Sequence, residues 1–136
     1  MTMNWLKTIA IIAFLISFIA MHGQNQVNLM DLNFEGNKNI EVVKLKSAAE
    51  SSSFCIQIKD QVKKHFHATH TESIYVLSGS GILLLNSDTL RIKPGDFIEI
   101  PPKTIHAVWV KSEEPLRVLS VQAPEFLGKD RHFVNE

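Results

Sequence analysis

His65-Phe66-His67-Ala68-Thr69-His70-Thr71-Glu72 and, further along, Pro101-Pro102-Lys103-Thr104-Ile105-His106 are the two stretches on which the reading of this chain turns. Both lie among residues of β character. His65 and His67 are two apart, so in an extended strand their side chains leave the same face. Four residues separate His67 from Glu72, enough for a short turn to return a carboxylate beside the imidazoles. Neutral imidazole and carboxylate together suit one divalent first-row metal, drawn from Mn, Fe, Ni, Cu or Zn.

Outward from these stretches the chain is a series of short β-branched and aliphatic runs broken by turn residues. The pattern predicts strands at Ile40–Lys46, Phe54–Lys59, Ser73–Leu77, Ile82–Leu85, Thr89–Ile92, Phe97–Ile100, Ala107–Val110 and Leu116–Gln122. The connections carry turn chemistry: Ser78-Gly79-Ser80-Gly81, Asn86-Ser87-Asp88, Lys93-Pro94-Gly95-Asp96 and Ser112-Glu113-Glu114-Pro115. Ala48-Ala49-Glu50 could form one helical turn, and no long 3.6-residue apolar period appears. Many short, evenly spaced strands mean an all-β antiparallel sandwich or barrel. Arg131-His132-Phe133-Val134 is a candidate closing strand or an arm that packs on a partner. Ile74-Tyr75-Val76-Leu77 and Ile82-Leu83-Leu84-Leu85 are apolar on both faces, so the outside of the barrel must be covered by other strands or by a second subunit. A homodimer is the economical expectation.

The spacing joins the two stretches. It runs His65, one residue, His67, four residues, Glu72, six residues, Gly79; then, after 15 residues, Gly95, five residues, Pro101, four residues, His106. This resembles the paired motifs of the cupin superfamily, in the short form of its small single-domain members, from Lys59 to Val110. The resemblance implies a double-stranded antiparallel β-barrel, or jelly roll, with one metal inside held by His65, His67, Glu72 and His106. Gly79 and Gly95 then occupy turns where positive φ needs the missing Cβ. Lys59, Lys103 and Val110 stand where the family pattern has two glycines and an asparagine. None of the three is a ligand position. Lys103 at a pocket mouth would favour an anionic ligand, but a solvated turn lysine is the plainer reading. His70 could support the ligands from behind or serve as an alternative ligand, but is expected exposed on the turn; His132 is expected at the surface or in packing.

The ends and the composition set the context. A 136-residue chain with 45% hydrophobic and 21% charged residues fits one globular domain. Lys7 precedes an uncharged apolar run, Thr8 to Ala20, and then Met21-His22-Gly23. This reads as a secretory signal peptide over 1–23, followed by an arm over 24–39 and one barrel domain over 40–136. The run is short of the roughly 20 residues that span a bilayer, so cleavage and export to a periplasmic or extracellular space are expected, an uncleaved membrane anchor being the alternative. The 14 basic and 14 acidic side chains balance, and no basic cluster exceeds Lys63-Lys64, which excludes an electrostatic footprint for nucleic acid. The single Cys55 makes no internal disulfide and reads as a packed strand residue.

For function, the resemblance implies a metal-dependent enzyme on a small organic molecule, with dioxygenase-type chemistry first and decarboxylase or isomerase chemistry behind it. A non-catalytic barrel binding a sugar-like ligand is the other class. Parity places Tyr75 opposite Glu72, and neither Tyr75 nor Glu99 stands out as a catalytic base.

Overall fold

The computed structural model describes residues 26–134; the leader expected over 1–23 lies outside the described residues. Among the described residues ten strands succeed one another: β1 (Ile40–Ala48), β2 (Ser51–Ile58), β3 (Gln61–Phe66), β4 (Thr71–Ser78), β5 (Gly81–Leu85), β6 (Asp88–Ile92), β7 (Phe97–Ile100), β8 (His106–Val110), β9 (Leu116–Ala123) and β10 (His132–Phe133). They form two five-stranded antiparallel sheets, β1-β2-β9-β4-β7 and β10-β3-β8-β5-β6. Phe54, Ile56, Val76 and Val118 of the first sheet meet Leu83, Ile92 and Val108 of the second in one core. This is the expected jelly-roll barrel. Among the described residues the only helical element is a 3₁₀ turn at Leu29–Asp31, and no helix is long and apolar enough to cross a membrane.

Strand β9 shows how sequence positions the site. Every second residue is buried and those between are half-buried or, at Ala123, exposed, so Leu116, Val118, Ser120 and Gln122 face inward. The first two feed the apolar core. The last two present a hydroxyl and an amide to the opposite end of the barrel, where the histidines lie.

Two expectations are corrected. Ala48-Ala49-Glu50 is no helical turn: Ala48 pairs with Ser51, so Ala49 and Glu50 close a two-residue hairpin. Strand β3 has no counterpart in the predicted series, although it carries His65. Its pairing with β8 slips between Val62 and His65, and Lys63 and Lys64 are both exposed there. Such a bulge breaks the two-residue alternation and re-aims the side chains beyond it, His65 first. The outer face of the first sheet is partly covered by the chain's own N-terminal arm. There Arg117 lies 4.7 Å over the Phe34 ring and donates to the Met30 carbonyl and to Gln57. Cys55 is fully buried, as expected.

The turns behave as their residues dictate. Lys93-Pro94-Gly95-Asp96 closes with the Asp96 amide donating to the Lys93 carbonyl at 3.1 Å, with Gly95 at φ +94°, a type II arrangement. Gly79 is more constrained. Its φ is +72°, and a Cβ there would lie 2.5 Å from the Pro115 carbonyl oxygen and 2.7 Å from Leu116 Cα. Both neighbours are backbone and cannot swing aside. Gly79→Ala should therefore cost about 2–4 kcal/mol of stability, read as a lower denaturant midpoint with unchanged m-value. An unchanged midpoint would contradict the tight approach of β4 to β9 at this turn.

Candidate metal centre

His65 stands at the end of β3, His67 just beyond it, Glu72 at the start of β4 and His106 at the start of β8. All four are buried, and one ligand atom from each falls within 4.8 Å of the others. His65 pairs directly with His106 across β3 and β8, with ring centroids 4.1 Å apart. The two sequence stretches are tied together, since the Lys103 amide donates to the His67 carbonyl at 2.6 Å.

The surroundings of the rings fix their tautomers. His65 Nδ1 lies 2.8 Å from the Lys63 carbonyl, His106 Nδ1 2.9 Å from the Thr104 carbonyl and His67 Nδ1 2.5 Å from the Asp130 carbonyl. A carbonyl only accepts, so each Nδ1 carries the proton and each Nε2 presents a lone pair to the centre. Buried Nε2 atoms of His67 and His106 have no hydrogen-bond partner. They sit 3.4 and 3.3 Å from Glu72 Oε2, so their lone pairs face a carboxylate oxygen with no proton between. Glu72 Oε1 accepts from Ser120 Oγ at 2.5 Å and Gln122 Nε2 at 3.3 Å, which leaves Oε2 turned to the rings. Lone pairs converging on one buried point need a cation between them.

Titration follows from the same contacts. Burial, then the neighbouring His106 and Arg131, push the His65 imidazole down to about 4 against a weaker opposing bond from Lys63. Burial works against ionisation of Glu72, yet His106, His67 and Ser120 hold its carboxyl well below the usual range. Both groups therefore bind fewer protons folded than unfolded in acid. Stability of the metal-free protein should fall as pH drops from about 6.5 towards 4, with His65 alone accounting for roughly 3 kcal/mol. Urea unfolding at a series of pH values checks this, and a flat profile over that window would refute the buried neutral His65.

The sequence match to known proteins rests on this same region. The family described as Cupin domain matches residues 52–122, just over half of the chain. The chain belongs to the cupin family. An uncharacterized protein of Aquifex aeolicus is 34% identical to it over 93 residues, 68% of this chain and 76% of that protein. The quercetin 2,3-dioxygenase of Bacillus subtilis is 33% identical over 48 residues, which is 35% of this chain but 14% of that enzyme. In three dimensions, an uncharacterized double-stranded β-helix protein from Klebsiella pneumoniae superposes with a TM-score of 0.71 at 16% identity, over 82% of this chain and 98% of that one. A likeness at that identity speaks for the fold alone.

One part of this cupin is not legible in its sequence. The chain leaves β9 and folds back over the histidine end, so that Phe126 packs edge-on against His67, His70 and Phe54. Asp130 then clasps the loop between His67 and Glu72. Its carboxylate accepts from the amides of Ala68, Thr69 and His70 and from the Thr69 hydroxyl, at 2.8 to 3.2 Å. His70 is not the exposed turn residue expected from sequence. It is buried, with Nδ1 2.5 Å from Asp130 and Nε2 3.0 Å from the Glu125 carbonyl. Acceptors at both nitrogens favour the doubly protonated ring. Burial opposes that charge, but the bonds to Asp130 and Glu125 raise the His70 pKa above its ordinary value. No sequence signal marks Asp130, an acid between Lys129 and Arg131 in the tail, 58 residues beyond Glu72.

The remaining predicted residues take their places simply. Tyr75 is exposed on the outer face, opposite Glu72 as parity requires, and Glu99 is exposed too. Lys103 is an exposed turn residue at φ +67° that does not line the cavity, and its positive φ accounts for glycine in the family pattern there. His132 is exposed, stacked on Phe66 with ring centroids 5.1 Å apart. It belongs to the short strand β10, which pairs with β3 and so bears out a closing strand in the tail.

Proposed function

We propose that this cupin binds one divalent transition metal through His65, His67, Glu72 and His106 and acts with it on a small organic molecule. The single observation behind this reading is the convergence of three Nε2 lone pairs and Glu72 Oε2 on one buried point. Four protein donors leave coordination positions open, and the metal would supply a Lewis-acidic centre there for substrate or O₂. Dioxygenase-type chemistry is the leading reaction, supported by the local similarity to quercetin 2,3-dioxygenase. The test is oxygen uptake by metal-loaded protein against diketones, flavonols, thiols and dicarboxylates. Ligand binding without turnover or oxygen consumption in that screen would replace the enzyme with a binding barrel. One observation favours that second reading: the only titratable side chains lining the cavity are Arg131 and members of the proposed ligand set.

Export remains part of the proposal, on the strength of the apolar run after Lys7. Mass spectrometry of protein from its native compartment should find a chain starting near Gln24. A chain loaded outside the cytoplasm meets an affinity order that favours Cu and Zn over Mn and Fe, so stoichiometric Mn or Fe on elemental analysis would count against that route. A homodimer is proposed too. Tyr75 and Phe97, paired across β4 and β7, are 42% and 64% exposed, an apolar outer patch that a second copy would cover. Sedimentation at a single monomer mass would rule it out.

A further inference from the structure

The barrel interior holds a cavity with an almost wholly apolar lining. Of the residues lining it, Val42 on β1 and Arg131 just before β10 are the two that are exposed. The mouth therefore lies between the edge strand β1 and the C-terminal segment, on the side of the barrel that carries His65. Phe133 pairs with His65 across β10 and β3, with ring centroids 6.0 Å apart. Arg131, two residues earlier, lines the cavity together with His65. Among the described residues its guanidinium makes no ion pair with a carboxylate. A cation thus stands at the entrance of an apolar chamber whose other polar feature is the cluster with unpartnered Nε2 atoms.

We infer that the ligand of this barrel is a small organic carboxylate, its anionic end held between the metal centre and Arg131 and its apolar end against Ile56, Leu83 and Val118. This rests on the metal-centre reading above and narrows it to a substrate class. Size follows from the cavity, about 60 Å³. At about 10–15 Å³ for each water-sized occupant, that admits roughly four to six non-hydrogen atoms. The guanidinium fork matches a carboxylate in a way a lysine ammonium does not. Neutral analogues of the same shape lose that contact.

The test uses Co(II)-loaded full-length protein, whose visible spectrum reports ligands reaching the metal, titrated with acetate, propionate, butyrate, hexanoate and butanamide. Affinity should rise roughly fourfold per buried methylene from acetate to butyrate, and hexanoate should gain nothing more. Arg131→Ala should keep the Co(II) stoichiometry and thermal midpoint of the wild type but bind butyrate about 10- to 100-fold more weakly. Arg131→Lys should recover part of that loss, and butanamide should not distinguish the variants. Equal butyrate affinity in wild type and Arg131→Ala, with Co(II) bound in both, overturns the carboxylate inference and leaves the metal reading standing. Equal affinity for acetate and butyrate overturns it as well, because the chain would then lie outside the cavity. No uptake of Co(II) by the wild type overturns both.

Discussion

His67→Ala and His106→Ala should each abolish stoichiometric metal binding. A site with four protein donors gains on the order of 10–16 kcal/mol from the ion. Shared evenly, one donor accounts for about 100- to 1,000-fold in affinity, enough to empty the site at micromolar protein. The remaining donors cannot close the gap, because each ring is held by its own backbone carbonyl, at Lys63, Thr104 or Asp130, and cannot swing to replace its neighbour. Elemental analysis after gel filtration is the measurement, with far-UV circular dichroism to show that the β-sheet signal is kept. Full retention of metal in either variant sinks the site.

Asp130→Ala should weaken metal binding by about 10- to 100-fold although Asp130 offers no atom to the centre. The substitution removes the acceptor of three loop amides, one hydroxyl and the His70 ring. His70 is left buried with no counter-charge, and breaking such a pair costs about 3–5 kcal/mol. The loop that spaces His67 from Glu72 then loses its fixed course. Chelator competition gives the affinity, and thermal melts of metal-free protein give the stability. Wild-type affinity together with a wild-type melting temperature would show that the clasp is idle. Asp130→Asn separates shape from charge, since its amide nitrogen faces donors and should restore little.

The ligand set is readable because its members are close in sequence or marked by turn residues of restricted chemistry. His65, His67 and Glu72 fall within eight residues of one another, at the crossing from one sheet to the other, and Gly95 and Pro101 mark the approach to His106. Backbone conformation alone makes those positions recognisable: Gly79 and Gly95 have φ values that a Cβ would strain. Strand β3 escapes the sequence pattern for an equally local reason. A bulge places Lys63 and Lys64 together in solvent, and the alternating pattern that announces a strand disappears at the strand that bears the first ligand.

The all-β barrel, the four converging side chains and the burial of Cys55 were legible in the sequence. Turn chemistry and side-chain parity act over a few residues, while the joining of His106 to the other three is what the resemblance to the paired cupin motifs implied. Only the tertiary structure decided that His70 is buried with acceptors at both ring nitrogens, that Asp130 holds the ligand loop, that the N-terminal arm covers part of one sheet, and that Arg131 rather than Lys103 lines the cavity. The contacts of the tail join residues about 60 to 70 apart, such as Asp130 to Thr69 or Phe133 to His65. Their geometry is set by how the last segment folds back across the barrel end, and no local pattern encodes where a chain returns.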